Sequence, residues 1–174
     1  MSAQFRYLFT QLKIGPVTVR NRIYATPHCT CFANLVPDET QIHLPSERHA
    51  YYYAERAKGG VGLIIMEGSA PHPSSDYTPI IDSSTYDKRV IPGFRKIADL
   101  VHEHGARIFC ELAHAGHHAP NNALRLPRYC SSETPPVEAY AVPKEMEIEE
   151  IEELVSRPIE EAMSRFGSFV ACSA

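Results

Sequence analysis

The 174-residue chain is 44% hydrophobic and 22% charged, with a formal charge of -4, a balance that allows one buried core and excludes a disordered polymer. The mild negative charge, with no run of Lys and Arg, argues against nucleic acid or an anionic membrane as partner, and no apolar stretch approaches the roughly 20 residues of a membrane span. The N-terminus lacks the apolar core of a signal peptide, so a cytoplasmic location is expected; Cys29, Cys31, Cys110, Cys130 and Cys172 form neither a Cys-x-x-Cys pair nor a disulfide framework, so reduced thiols are expected.

Apolar alternation on both sides of Gly15-Pro16, from Leu12 to Arg20, predicts a small β-hairpin that precedes the first core strand as a lid. Residues 22–26 follow as a short strand of Ile23, Tyr24 and Ala25, ending at Pro27 because proline cannot donate to a sheet ladder. Pro45-Ser46-Glu47 opens a helix with a serine N-cap and an early acid, which should stop at Gly59-Gly60. Val61 to Glu67 is a continuous apolar run between glycines and suits a strand buried on both faces of a parallel sheet. Pro92 sits in the first turn of a second helix, in which Ile91, Phe94, Ile97, Ala98 and Val101 recur at helical spacing and Gly105 supplies the stop. Ala106 to Leu112 is the third strand, and a Pro-rich irregular stretch fills 119–143. A third helix over 146–166 carries Ile148, Ile151, Val155, Ile159, Ala162 and Phe166 on one face, with Pro158 expected to kink or split it. Three strand-helix units with parallel crossovers fit either a doubly wound sheet or part of an eight-fold barrel.

In parallel α/β folds chemistry gathers at the carboxyl ends of the strands. Here those ends carry Pro27, His28, Cys29 and Cys31, then Glu67, Gly68 and Ser69, then Glu111, His114, His117 and His118. Nine histidines with nearby Cys and Glu supply zinc-ligand types, but His102 and His104 lie two apart on a helix and no His-Glu-x-x-His pair occurs, so no metal site is expected. A thiol nucleophile at Cys29 with His28 or His114 as base lacks an identifiable third, orienting group. Neither a P-loop nor a Gly-x-Gly-x-x-Gly fingerprint is present.

Leu8-Phe9, Ile14-Gly15, Asn21-Arg22-Ile23 followed by Pro27, the run from Arg56 to Ile65 with Glu67, and Glu111 to Gly116 together resemble the old yellow enzyme family of NADH:flavin oxidoreductases. Pro27-His28-Cys29, Glu111 with His118 to Asn121, and Pro143 to Met146 are most similar to the trimethylamine dehydrogenase branch, with dienoyl-CoA reductases and N-demethylases as relatives. The resemblance runs over 5–165 of a single domain spanning 1–174, with a divergent tail at 166–174.

That resemblance implies an α/β fold, the N-terminal portion of a (β/α)8 TIM barrel with about three βα units after a β-hairpin, and FMN across its carboxyl-end face. It implies that Pro27, His28 and Cys29 lie along the flavin ring, Gly68 near its edge, and Glu111 on its polar pyrimidine side. Cys29 would be either bonded covalently to the flavin, as in the trimethylamine dehydrogenase group, or a thiol that tunes it. His114 is expected on the substrate side, and Cys31 holds the place of a proton-donating tyrosine in ene-reductases. NAD(P)H is the implied electron donor, a small molecule the substrate, and an iron-sulfur cluster belongs only to a longer parent. After residue 165 a fourth strand is expected to be missing, leaving the first and third strands with unpaired edges and Ile23, Ile64 and Phe109 without opposite partners. A truncated product that self-associates, or that needs the remainder of the barrel, is the expectation that follows.

Overall fold

Val17, Thr18 and Val19 fold back on Leu12, Lys13 and Ile14 because Gly15, at φ 55°, takes a left-handed turn conformation; the result is the antiparallel hairpin β1 (Leu12–Ile14) and β2 (Val17–Val19). The computed structural model describes residues 5–75, 83–119, 126–135, 142–165 and 170–173, with side chains up to residue 156. β3 (Tyr24–Ala25) is only two residues long, since Pro27 removes the next donor. A second, unexpected hairpin, β4 (Asn34–Leu35) with β5 (His43–Leu44), occupies the loop that follows. α1 (Glu47–Lys58), β6 (Leu63–Ser69), α2 (Ile91–Glu103) and β7 (Arg107–Leu112) come next and agree closely with the sequence pattern. In the Pro-rich stretch β8 (Tyr129–Cys130) pairs in parallel with β9 (Lys144–Glu145).

α3 (Ile148–Arg165) runs on through Pro158, contrary to the expected split. A proline removes one backbone bond and crowds one carbonyl, a cost that a continuous helix can absorb. Beyond it lies β10 (Val170–Ser173), which pairs in parallel with β7 in the register Val170 to Phe109 and Cys172 to Glu111. This corrects two expectations. A fourth strand is present, and the third strand's outer edge is paired. Four residues of Val-Ala-Cys-Ser are too short for periodicity to separate from a tail, yet they suffice to satisfy the donors and acceptors that β7 would otherwise leave open.

The main sheet has the order β10-β7-β6-β3, so each new strand joins the same edge. Ala50, Tyr53 and Ala57 of α1 and Phe94, Ile97, Ala98 and Val101 of α2 pack on one face, against Ile64, Met66, Ile108 and Cys110. α1 and α2 on a single face, with sequential strand order, decide between the two architectures: this is barrel-type winding, not a doubly wound sheet. Ile64 therefore points to the helices and is fully buried, not bereft of partners as expected. The opposite face is covered at its lower end by the hairpin, where Val19 packs with Leu63 and Phe109, flanked by Leu12, Ile14, Val17 and Ile65.

The amino end of the sheet is tied by one guanidinium. Arg20 donates to the carbonyls of His104 (2.6 Å), Ala57 (2.7 Å) and Val61 (2.9 Å), joining the ends of α2 and α1 to the start of β6. Beside it Asn21 donates to the Gly60 carbonyl at 2.8 Å, and Gly62 must lack a side chain because a Cβ there would fall 2.4 Å from Asn21 Oδ1.

Candidate functional site

Pairing of β3 with β6 ends at Ala25, opposite Ile64, so the chain from Thr26 to Ala33 leaves the sheet at its carboxyl end. α1 holds that loop by its side chains. The Tyr52 hydroxyl is hydrogen-bonded to His28 Nε2, and Phe32 packs edge-on against Tyr52 with ring centroids 5.6 Å apart. Arg48 places its guanidinium 4.1 Å from the Phe32 ring centre, a cation-π contact. His28, Cys29 and Cys31 are exposed, and Pro27 is half-buried. Cys31 stands at φ 56°, a left-handed conformation that a side chain resists.

β6 carries a bulge at the level of this loop. Met66 lies opposite Cys110 and Gly68 opposite Glu111, which leaves Glu67 as the extra residue. The bulge keeps Glu67 on the helix side, where it is 1% exposed, and turns Gly68 toward Glu111. Glu67 Oε1 meets Nε2 of the fully buried His49 at 2.5 Å. His49 Nδ1 accepts the backbone N–H of Ser46 at 3.0 Å, so the ring proton sits on Nε2 and is donated to the carboxylate. Glu67 Oε2 accepts the N–H of Thr30 at 2.5 Å, and the Glu67 N–H is donated to the Tyr53 hydroxyl at 3.1 Å. Burial pushes the Tyr53 phenol far above its ordinary range.

Gly68 and Glu111 form the next part of the rim. A Cβ on Gly68 would lie 3.4 Å from Glu111 Oε2 and 3.1 Å from Ala113 Cβ, so the bare glycine keeps the space beside the carboxylate open. Glu111 is half-buried on the face away from the helices, because its neighbour Cys110 points into the helix-side core. Burial raises the Cys110 thiol to about 12, which leaves it an inert core residue as its place in an apolar strand implied.

The loops after β6 and β7 are joined by a chain of polar groups. His114 Nδ1 accepts the N–H of Gly116 at 3.0 Å, which puts the proton on Nε2, 2.9 Å from Ser74 Oγ. Ser74, fully buried, can then donate onward to His72 Nδ1 at 2.7 Å. Burial, with a smaller effect of His72, lowers the His114 imidazole to about 4. Both ring nitrogens of His114, the residue expected on the substrate side, are thus hydrogen-bonded within the two loops. His117 Nδ1 lies 3.5 Å from the sulfur of Cys130, whose thiol is lowered by the backbone N–H groups of Ser132 and Ser131. Of the stretch from His118 to Asn121, Pro120 and Asn121 lie outside the described residues.

Pro27, His28, Cys29, Gly68 and Glu111 thus stand at the carboxyl end of three adjacent parallel strands, as the sequence pattern predicts. The reasoning from sequence missed His49, Tyr52 and Ser74. An acid at the end of an apolar strand run, such as Glu67, was a usable signal for a buried partner; nothing local marked His49 as that partner. Among the described residues no cluster of three or more His, Cys, Asp or Glu side chains is arranged to hold a metal ion, and no helix is long and apolar enough to cross a membrane.

Comparison with known proteins gives a consistent result. The model of the NADH:flavin oxidoreductase / NADH oxidase family matches residues 7–165. An NADH oxidase from Thermoanaerobacter brockii is 32% identical over 165 residues, 94% of this chain and 24% of that protein. A dimethylamine dehydrogenase from Hyphomicrobium is 31% identical, over 92% of this chain and 22% of its own length. The old yellow enzyme from Trypanosoma cruzi superposes with a TM-score of 0.82 at 28% identity, covering 98% of this chain and 51% of its own. Histamine dehydrogenase from Rhizobium sp. 4-9 gives a TM-score of 0.82 at 25% identity, over 97% of this chain and 24% of its own. The chain spans about a quarter of the two curated relatives and about half of the Trypanosoma enzyme.

Proposed function

Since the chain belongs to the NADH:flavin oxidoreductase / NADH oxidase family and has the fold of the N-terminal part of its barrel, we propose that it supplies one wall of an FMN site. The reaction served is hydride transfer between NAD(P)H, or an amine- or enone-type substrate, and the flavin. One observation carries this reading: a loop of Pro27, His28 and Cys29, a side-chain-free Gly68 and the acceptor Glu111 share one sheet end. The donor set fits the group. A flavin ring has a flat apolar body and one polar edge with an N–H donor, and Glu111 is an acceptor beside open space at Gly68.

When bound, FMN supplies the two-electron chemistry, and the protein's part is orientation, electrostatics and exclusion of water. Glu111 would accept the ring N–H and so favour one orientation of the polar edge. Pro27 and His28 would line the ring, and Cys29 would be the point of tuning or of covalent attachment. Cys31, exposed two residues on, and His114, which also braces the exit loops, would take the substrate side. A purified chain with flavin absorbance, lost or weakened at least about tenfold in affinity in Glu111→Ala, is the expected result. Acid precipitation separates the two roles of Cys29: colour in the pellet marks attachment, and colour in the supernatant a dissociable flavin. A colourless chain that fails to quench added FMN would overturn the reading.

A second reading, action through association with a partner in place of catalysis, is favoured by α3. Its Ile148, Ile151 and Val155 recur at helical spacing and are all exposed. Oligomers on sizing without bound flavin would support it.

A further inference from the structure

Among the described residues, the loop carrying Cys29 pairs with no strand between Thr26 and Ala33. β3 stops at Ala25, Pro27 has no N–H, and β4 begins only at Asn34. The fastenings described above come from side chains, and only one of them grips the loop's backbone near its middle: Glu67 Oε2, which takes the N–H of Thr30, the residue after Cys29. The other oxygen of the same carboxylate is held by His49, itself held by the N–H of Ser46 at the start of α1. A carboxylate that is 1% exposed, fixed by two N–H donors from different elements and placed on a bulge, is an expensive feature to build into a strand.

We propose that Glu67 is a positioning residue: it sets the height and rotation of the Pro27–Cys29 loop against the sheet end, with His49 fixing the orientation of the carboxylate. Its relevance to flavin binding rests on the reading above, but the geometry of the loop does not. The bulge couples the two halves of the wall. The same extra residue that turns Glu67 toward α1 and Thr30 turns Gly68 toward Glu111. The loop and the acceptor edge are therefore set by one irregularity in one strand.

Two near-isosteric variants separate positioning from general loosening. In Glu67→Gln one end of the amide accepts and the other donates; the fully buried His49 Nε2–H, which has no other acceptor among the described residues, takes the accepting end, and the N–H of the half-buried Thr30 faces a donor. In His49→Gln the amide can still donate to Glu67 and accept from Ser46, leaving the Thr30 bond in place. Amide hydrogen exchange read by NMR should show Thr30 protected in the unaltered chain, although it lies in no strand. Exchange at Thr30 should accelerate about tenfold or more in Glu67→Gln, and by much less in His49→Gln, while amides of β6 and β7 stay protected. An unprotected Thr30 in the unaltered chain overturns the proposal even if Glu67→Gln does not fold. Equal acceleration in both variants also overturns it, because loss of buried packing would loosen the loop in either. FMN quenching measured alongside should weaken in Glu67→Gln and not in His49→Gln. An unaltered chain that shows the exchange pattern but no quenching would refute the flavin reading and leave the positioning role standing.

Discussion

Cys31 lies at φ 56°, where the Cβ of an ordinary residue crowds its own backbone, and nothing in its exposed surroundings repays that cost through packing. Its conformation follows from its neighbours: Thr30 is pinned to Glu67, and Phe32 is wedged between His49 and Tyr52, so residue 31 absorbs the turn between them. Replacement by glycine removes the clash but adds freedom to the unfolded chain, and the two effects partly offset. Cys31→Gly is therefore expected to raise stability by up to about 1 kcal/mol, and Cys31→Val to lower it by about 1 kcal/mol or more, since a β-branched side chain tolerates this region worst. Urea midpoints of the two variants should move in opposite directions. A midpoint lowered in Cys31→Gly would show that the thiol makes a contact worth more than the strain.

At the scale of elements, the carbonyls of Ala57, His104 and Val61 lie where the ladders of α1, α2 and β6 run out, Ala57 also accepting the Gly60 N–H at 3.0 Å. Arg20 answers all three with one planar fork, and lysine, a single point donor on a flexible stem, cannot reproduce the geometry. Arg20→Ala should cost about 2–3 kcal/mol and Arg20→Lys most of that, seen as lower urea midpoints with an unchanged slope. Much of this level was legible in the sequence. α1, β6, α2 and β7 carry long periodic or continuous apolar runs closed by Gly59-Gly60 and Gly105, and they lie where those signals put them. β10 and the β4-β5 hairpin were not legible, because two to four residues hold no period and their pairing depends on a partner edge distant in the chain. Of the candidate site, the rim residues were readable from strand ends, but the fastening of the loop was not. His49 on an apolar helix face looks like any core histidine until Glu67 is brought beneath it.

Among the described residues the sheet is wound in one sense, with α1 and α2 on one face and its exit loops at one end, so the loops must brace one another across that end. The chain from His114 through Ser74 to His72 is such a brace, and it makes the fold sensitive to acid in a particular window. Burial holds His114 near 4, against an ordinary imidazole value of 6.5, so between those values the unfolded chain binds more protons than the folded one. Stability from this group is thus complete above pH 6.5 and is lost as pH falls toward 4. His102, also lowered by burial and then by the charge of Arg107, pulls in the same direction. The paired carboxylates Asp38, Asp87, Glu47 and Glu150 are lowered chiefly by hydrogen bonds to their partners, so their losses come at still lower pH. The urea midpoint is accordingly expected to fall between pH 6.5 and 4.5, before those carboxylates titrate. In His114→Gln, which cannot titrate, the midpoint at neutral pH should be lower but its slope with pH shallower. A slope unchanged by that substitution would assign the acid sensitivity to another group and leave the brace a purely mechanical contact.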